Sequence, residues 1–174
     1  LNGQLFFEQL PSGLHEFKAD KLVPVPGRAA LKDKNVLAIL PYDKNRSIIA
    51  TARHGLYLMD SNGTIKPWPI AANSILIQSQ IYNGIYLFGG QYAFGTIQNG
   101  VIIINKNGEV VQHINKNNGL QNNTVLSIAK DRQQNIWVGL DNGIDRIEIN
   151  SPLSFYTDFA GKIGTVYTSI IYQG

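Results

Sequence analysis

A glycine recurs along this chain at a nearly fixed interval, each time followed by an aliphatic residue, and a repeat of that length constrains the fold more than any composition does. Gly13, Gly55, Gly100 and Gly143 are 42, 45 and 43 residues apart and precede Leu, Leu, Val and Ile. A second marker, the start of an apolar strand-like run, falls at Val36, Ile81, Val125 and Val166, spaced 45, 44 and 41. The register holds inside the repeat as well. Val36 to Ala50, Ile81 to Gly95 and Val125 to Gly139 are each 14 residues.

The stretch Asn118–Ile149, NGLQNNTVLSIAKDRQQNIWVGLDNGIDRIEI, shows what one unit contains. Val125–Ile128 alternates as a half-buried strand does, and Ile136–Gly139 is a second short apolar run. The polar residues Asp131–Asn135 connect them, and Asn142-Gly143, both tolerant of positive φ, turns the chain into a third strand, Ile144–Ile149. Three antiparallel neighbours in about thirty residues are most of a propeller blade.

With strands A to D counted outward from the axis, the chain reads as a truncated blade, three fuller ones and the start of a fifth. Blade one has B at Leu5–Glu8, C at Leu14–Phe17 and D at Leu22–Val25. Blade two has A at Val36–Leu40, B at Ser47–Thr51, C at Leu56–Asp60 and D at Thr64–Trp68. Blade three has A at Ile81–Leu87, B at Tyr92–Thr96, C at Val101–Asn105 and D at Val110–Ile114. Blade four has A at Val125–Lys130, B at Ile136–Leu140, C at Ile144–Ile149 and D near Leu153–Thr157, and Tyr167–Ile171 opens the next. The fold class expected is all-β: a partial β-propeller of about four four-stranded antiparallel blades, at about 1–28, 35–70, 79–116 and 123–159, with 165–174 beginning another.

Local chemistry supports this layout. Of seven Asn-Gly dipeptides, Asn62-Gly63 and Asn107-Gly108 fall at C–D hairpins, and Asn99-Gly100 and Asn142-Gly143 at B–C turns. Pro24, Pro26, Pro67 and Pro69 read as D-strand residues, where a missing N–H does no harm at a sheet edge. Gly84 lies inside an A strand, where crowding by neighbouring blades at the axis excludes a side chain. No segment shows helical periodicity.

The string N-N-T-V-L-S-I…D…N-I-W-V-G-L-D-N-G-I at Asn122–Ile144 resembles the two-component regulator propeller repeat. Blades two and three match by spacing more than by identity, with Ile48-Ile49-Ala50-Thr51 and Ala93-Phe94-Gly95-Thr96 at the Ile-Trp-Val-Gly position. The resemblance implies an extracytoplasmic, periplasmic sensor domain of a bacterial membrane regulator, as in hybrid two-component systems of the Bacteroidetes. It also implies further blades, a following β-sandwich domain as partner, and a ligand such as an oligosaccharide released from a glycan. The chain starts at Leu1 without a signal peptide, so a piece of a longer protein is expected.

Composition narrows the chemistry. With no cysteine, disulfides and thiolate metal sites are excluded. No apolar run reaches the ~18 residues of a membrane span. The net charge of +3 is scattered, and Lys32, Lys34, Lys44 and Arg46 read as a solvated rim, so no nucleic-acid partner is expected. His15, His54 and His113 lie in different blades without metal-ligand spacing. Asp43 and Asp131 occupy equivalent A–B connections and read as hairpin caps rather than an acid/base pair. No catalytic constellation, metal site or cofactor is expected.

Trp137, Tyr57, Phe94, Tyr86 and Tyr167 fall inside strands, with packing between blades as their default role. In a propeller the B–C and D–A loops emerge on one face, and ligands generally meet that face near the axis. Arg53, His54, Gln98, Asn99, Asn122, Asn123, Asp141 and Asn142 fall there, a ring suited to hydrogen-bonding a sugar or another polar ligand. Asn99 and Asn142 are equally explained as turn formers. A non-enzymatic sensor module is therefore expected, with a protein-interaction scaffold as the alternative and a propeller lyase or hydrolase third. Four blades cannot close a ring of seven or eight, so uncovered end faces and self-association are also expected.

Overall fold

A computed structural model of the protein describes residues 4–9 and 12–149. These form four antiparallel sheets, each made of consecutive strands in sequence order. Blade one holds β1 (Leu5–Gln9), β2 (Gly13–Lys18) and β3 (Lys21–Pro24). Blade two holds β4 (Val36–Pro41), β5 (Arg46–Thr51), β6 (Leu56–Asp60) and β7 (Ile65–Pro67). Blade three holds β8 (Ile81–Leu87), β9 (Gln91–Thr96), β10 (Val101–Ile104) and β11 (Val110–Ile114). Blade four holds β12 (Val125–Lys130), β13 (Ile136–Leu140) and β14 (Ile144–Ile147). The expected strands at Leu153–Thr157 and Tyr167–Ile171, and with them Tyr167 itself, lie outside the described residues.

The inner strands β4, β8 and β12 pack against one another in succession, which puts them beside a common axis. Side chains alternating along the second and third strands then face opposite neighbours. On β5, Ile48 joins Phe94, Ile102 and Ile104 of blade three, whereas Ile49 joins Leu14, Val25 and Leu31 on the blade-one side. On β10, Val101 and Ile103 turn the other way, onto Val125, Ile136 and Val138 of blade four. This is why these strands read as unbroken apolar runs. Burial of each such side chain contributes roughly 1.5–3 kcal/mol.

The repeating glycines have a common backbone cause. Gly13, Gly55, Gly100 and Gly143 all hold positive φ, a conformation open to glycine at little cost. The asparagines before Gly63, Gly100, Gly108 and Gly143 do not share it. The hairpins are thus longer loops rather than the two-residue type that needs positive φ at both positions. In the C–D hairpins the residue two before the asparagine or at its head does the closing. Asp60 Oδ1 accepts from the N–H groups of Asn62 and Thr64, and Asn105 Oδ1 from those of Asn107 and Glu109.

Three expectations are corrected. Helix is present: Pro26–Leu31 forms a 3-10 helix and Asn73–Ser79 an α-helix, α1. Pro26 opens the first of these, where a missing N–H and fixed φ are favourable, and is no strand residue; Pro69 likewise lies past the end of β7. Helix α1 holds by tertiary contact. Leu76 and Ser79 are buried one turn apart, and Asn73 accepts from Leu56 N–H (3.1 Å) while donating to the Trp68 carbonyl (2.6 Å). Gly84 is crowded chiefly from within its own blade, since a Cβ there would meet the Phe94 ring at 2.9 Å and Ala38 of blade two only at 3.5 Å. The expected packing of Trp137 between blades turns on residues outside those described: it is 44% exposed on the face of blade four away from blade three, which Ile136, Val138 and Leu140 meet.

Candidate functional site

The face carrying the B–C turns and D–A loops is fixed by one backbone bond repeated three times. Ala52 N–H donates to Asn35 O, Ile97 N–H to Gln80 O and Asp141 N–H to Thr124 O, each at 3.0 Å. In each case the residue after the second strand is tied to the residue before the first. Blades two and three add a hydroxyl latch. Thr51 Oγ1 donates to Gly55 O (2.7 Å) and accepts from His54 N–H (3.1 Å), and Thr96 Oγ1 does the same with Gly100 O (2.8 Å) and Asn99 N–H (3.0 Å). Both threonines are buried. Blade four has Leu140 at this position, and its turn closes one residue sooner, Leu140 N–H to Gly143 O.

The structure divides the eight expected loop-face residues into two groups. Four are committed to holding loops. Arg53 donates to Gln80 Oε1 (2.8 Å). Asn99 donates to Ser79 Oγ (3.2 Å), and its carbonyl meets His113 Nε2 (2.8 Å). Asn122 Oδ1 accepts from Thr124 N–H, and Asn123 Oδ1 from Lys116 N–H. The side chains of His54, Gln98, Asp141 and Asn142 are exposed and make no hydrogen bond among the described residues. This face therefore offers one imidazole, two amides and one carboxylate to solvent.

The remaining polar candidates have structural roles. Asp43 Oδ1 accepts from Asn45 N–H, and Asp131 Oδ1 from Asn135 N–H, so both cap their hairpins. The Arg46 guanidinium beside Asp43 holds its carboxyl below the usual range; the Asn135 amide, with Trp137 Nε1 adding to it, does so for Asp131. His15 is buried with Nδ1 2.9 Å from Gly13 O. Burial pushes the Tyr92 hydroxyl up to about 12, and it donates to Pro41 O at 3.0 Å. No cluster of metal-ligating side chains occurs among the described residues. No helix among them is long and apolar enough to cross a membrane.

The opposite face holds a feature that strand-by-strand reading missed. A groove of about 630 Å³ runs between blades one and two, where the A–B and C–D hairpins of blade two meet β1, β2 and the chain after β3. Tyr42, Asn45, Arg46, Ser61 and Asn62 line it. The only sequence signal was the polar run Asp43–Arg46, explained above as a cap and a charged rim. A smaller cleft of about 300 Å³ separates β1 from β4, beside the edge of β1 that pairs with no described strand.

Antiparallel blades of three or four strands, set around an axis with loops on one face and hairpins on the other, define a β-propeller. Residues 119–142, which run into and across blade four, match the family model of the two component regulator propeller. The fold is similar to the extracellular domain of BT4673 from B. thetaiotaomicron, described in one structure as a one component system (25% identity, TM-score 0.63). That match covers 86% of this chain and 21% of the other. A second structure of BT4673, described as a hybrid two component system, gives 25% identity and a TM-score of 0.61, over 88% and 21% of the two chains. The extracellular domain of the hybrid two component system BT3049 of the same organism is 17% identical with a TM-score of 0.47, over 83% and 25%. The chain thus spans about a fifth of the length of the BT4673 structures. No curated protein matches it.

Proposed function

We propose that this chain is a non-catalytic sensor segment of a bacterial membrane-bound signalling regulator, lying outside the cytoplasm on the periplasmic side. The observation that carries the reading is the coincidence of the regulator-propeller repeat at residues 119–142 with a fold like that of a receptor's extracellular domain. The ligand proposed is a glycan-derived oligosaccharide. On the loop face its partners are the uncommitted His54, Gln98, Asp141 and Asn142, with Arg53, Asn99, Asn122 and Asn123 shaping the loops around them. Binding changes output by favouring one arrangement of blades or subunits, which requires different affinity for the two arrangements.

The two end faces extend the proposal. Leu5, Phe7 and Phe17 are exposed on blade one, and Trp137 and Ile144 on blade four. In the longer protein these surfaces are covered by further blades, and a fragment limited to this chain self-associates through them. Light scattering of the fragment checks this: a monomer at high concentration refutes it. For the sensor reading, the thermal midpoint of the full-length protein is measured against an oligosaccharide panel, since a ligand of the folded state raises it by linkage. A rise with one glycan class, coupled to output, supports a glycan sensor. A flat response across the panel moves the assignment to a docking scaffold.

A further inference from the structure

We infer that the groove between blades one and two is a second ligand site, for a neutral saccharide of one or two rings, separate from the loop face. The inference rests on the glycan-sensor reading and adds a location and a charge class to it. Its volume of about 630 Å³ is within the range of about 300–1,000 Å³ usual for small-molecule sites.

The walls supply both kinds of contact a sugar ring needs. On the blade-one side, Phe6, Val23, Pro24 and Val25 give an apolar surface for ring C–H groups. On the blade-two side, Lys44, Asn45, Ser61 and Asn62 line the groove with side chains that make no hydrogen bond among the described residues. Amides and hydroxyls both donate and accept, which suits a hydroxyl ligand whose protons can be turned either way.

One donor is held in place beforehand. Asp43 Oδ2 accepts from Arg46 Nε (2.8 Å) and lies 2.6 Å from its Nη2, while the guanidinium sits 4.7 Å from the Tyr42 ring centroid. Tyr42 is packed edge-on by Trp68 at 5.3 Å. The remaining Arg46 N–H groups therefore keep a fixed direction without a ligand, which lowers the ordering cost of binding.

Charge selects the class. Glu16, Asp43 and Asp60 face Lys44 and Arg46 around the groove. Arg46 is neutralised by Asp43, and Asp60 is occupied by turn N–H groups. Three carboxylates against the two cations Lys44 and Arg46 leave the lining net negative. That excess repels uronates, sulfated sugars and phosphates.

Calorimetric titration of the full-length protein with cellobiose, maltose and xylobiose, and with digalacturonate as an anionic control, tests the site. One neutral disaccharide is expected to bind. The double variant Asn45→Ala/Asn62→Ala weakens it about tenfold or more, and Arg46→Lys, which keeps charge but loses the fork, weakens it too. Gln133→Ala, an exposed residue outside both the groove and the loop-face set, leaves it unchanged. Because Asn45 and Asn62 are exposed turn residues, an unchanged unliganded melting curve verifies folding, and Arg46→Lys reads the same site independently. Binding that survives both variants, binding lost in Gln133→Ala, or binding of digalacturonate alone overturns the groove while leaving the sensor reading intact. If none of the sugars binds, the groove is overturned; silence across the wider oligosaccharide panel removes the glycan reading as well.

Discussion

Blades three and four are neighbours built on one repeat, yet they are buried differently. In blade three, Tyr92–Thr96 and Val101–Ile104 are buried without interruption, because blade two covers one face and blade four the other. In blade four the corresponding strand alternates: Ile136, Val138 and Leu140 are buried, Trp137 is open, and on the next strand Ile144 is 68% exposed. The recognisable family string lies in the blade whose second face meets no described blade. The deepest core among the described residues lies in a blade that matches mainly by spacing. Within these residues, motif clarity and burial therefore do not coincide.

Truncating the large aromatic of each blade should separate the two most sharply. Phe94→Ala removes a fully buried ring and is expected to cost about 3–5 kcal/mol. Trp137→Ala loses a half-open ring and a 3.1 Å bond to Asp131, about 1 kcal/mol. Urea unfolding measures both, and equal losses would break the comparison.

Glycines give the next largest contrast. A Cβ on Gly100 would run into the Ile114 carbonyl, whereas one on Gly89 meets nothing within 4 Å, and both hold positive φ. Gly100→Ala is expected to cost about 3 kcal/mol or more, and Gly89→Ala about 1 kcal/mol. A similar cost at both sites would mean that conformation alone governs these turns.

Tyr92 should give blade three an alkaline limb. Its folded pKa of about 12 stands above the ordinary tyrosine value of 10.0. Between pH 10 and 12 the unfolded chain loses its proton first, so stability is full below pH 10 and falls as pH rises toward 12. The fall totals on the order of 2–3 kcal/mol. Tyr92→Phe should remove that limb in pH-dependent melting, and a limb that persists would assign it to another group.

The smallest effect concerns the latch. Thr96→Val leaves the buried turn without its hydroxyl bonds, about 1–2 kcal/mol. Leu140→Thr should gain nothing, because the turn of blade four is one residue shorter. A stabilised Leu140→Thr variant would show that the two turns are interchangeable after all.

Much of the fold was legible because its markers are backbone requirements. The glycines recur where φ is positive, and the apolar runs recur where inner strands meet. Helix α1 was not legible: seven residues give barely two turns, and Asn73–Ser79 is held by Leu76 packing and the Asn73 side chain rather than by periodicity. Residue type did not say which face of its strand Trp137 takes; it points away from blade three, toward residues outside those described. The loop face could be located from topology, but Arg53, Asn99, Asn122 and Asn123 proved to hold loops, a choice made by partners up to 27 residues away. The groove escaped entirely, since its walls come from Gln4 to Tyr86 and no single repeat contains it.

The bulged inner strands carry a consequence for how such a chain is assembled from copies. Ala38 pairs with Ala50, Asn83 with Gly95 and Ser127 with Gly139. A Cβ on Gly95 would coincide with the Asn83 amide, and one on Gly139 with the Ser127 hydroxyl. The two positions are thus matched within each hairpin. A hybrid joining the first strand of blade three to the second strand of blade two would set an alanine against Asn83, whose amide must turn away before the hairpin closes, whereas exchange of a whole blade keeps the match.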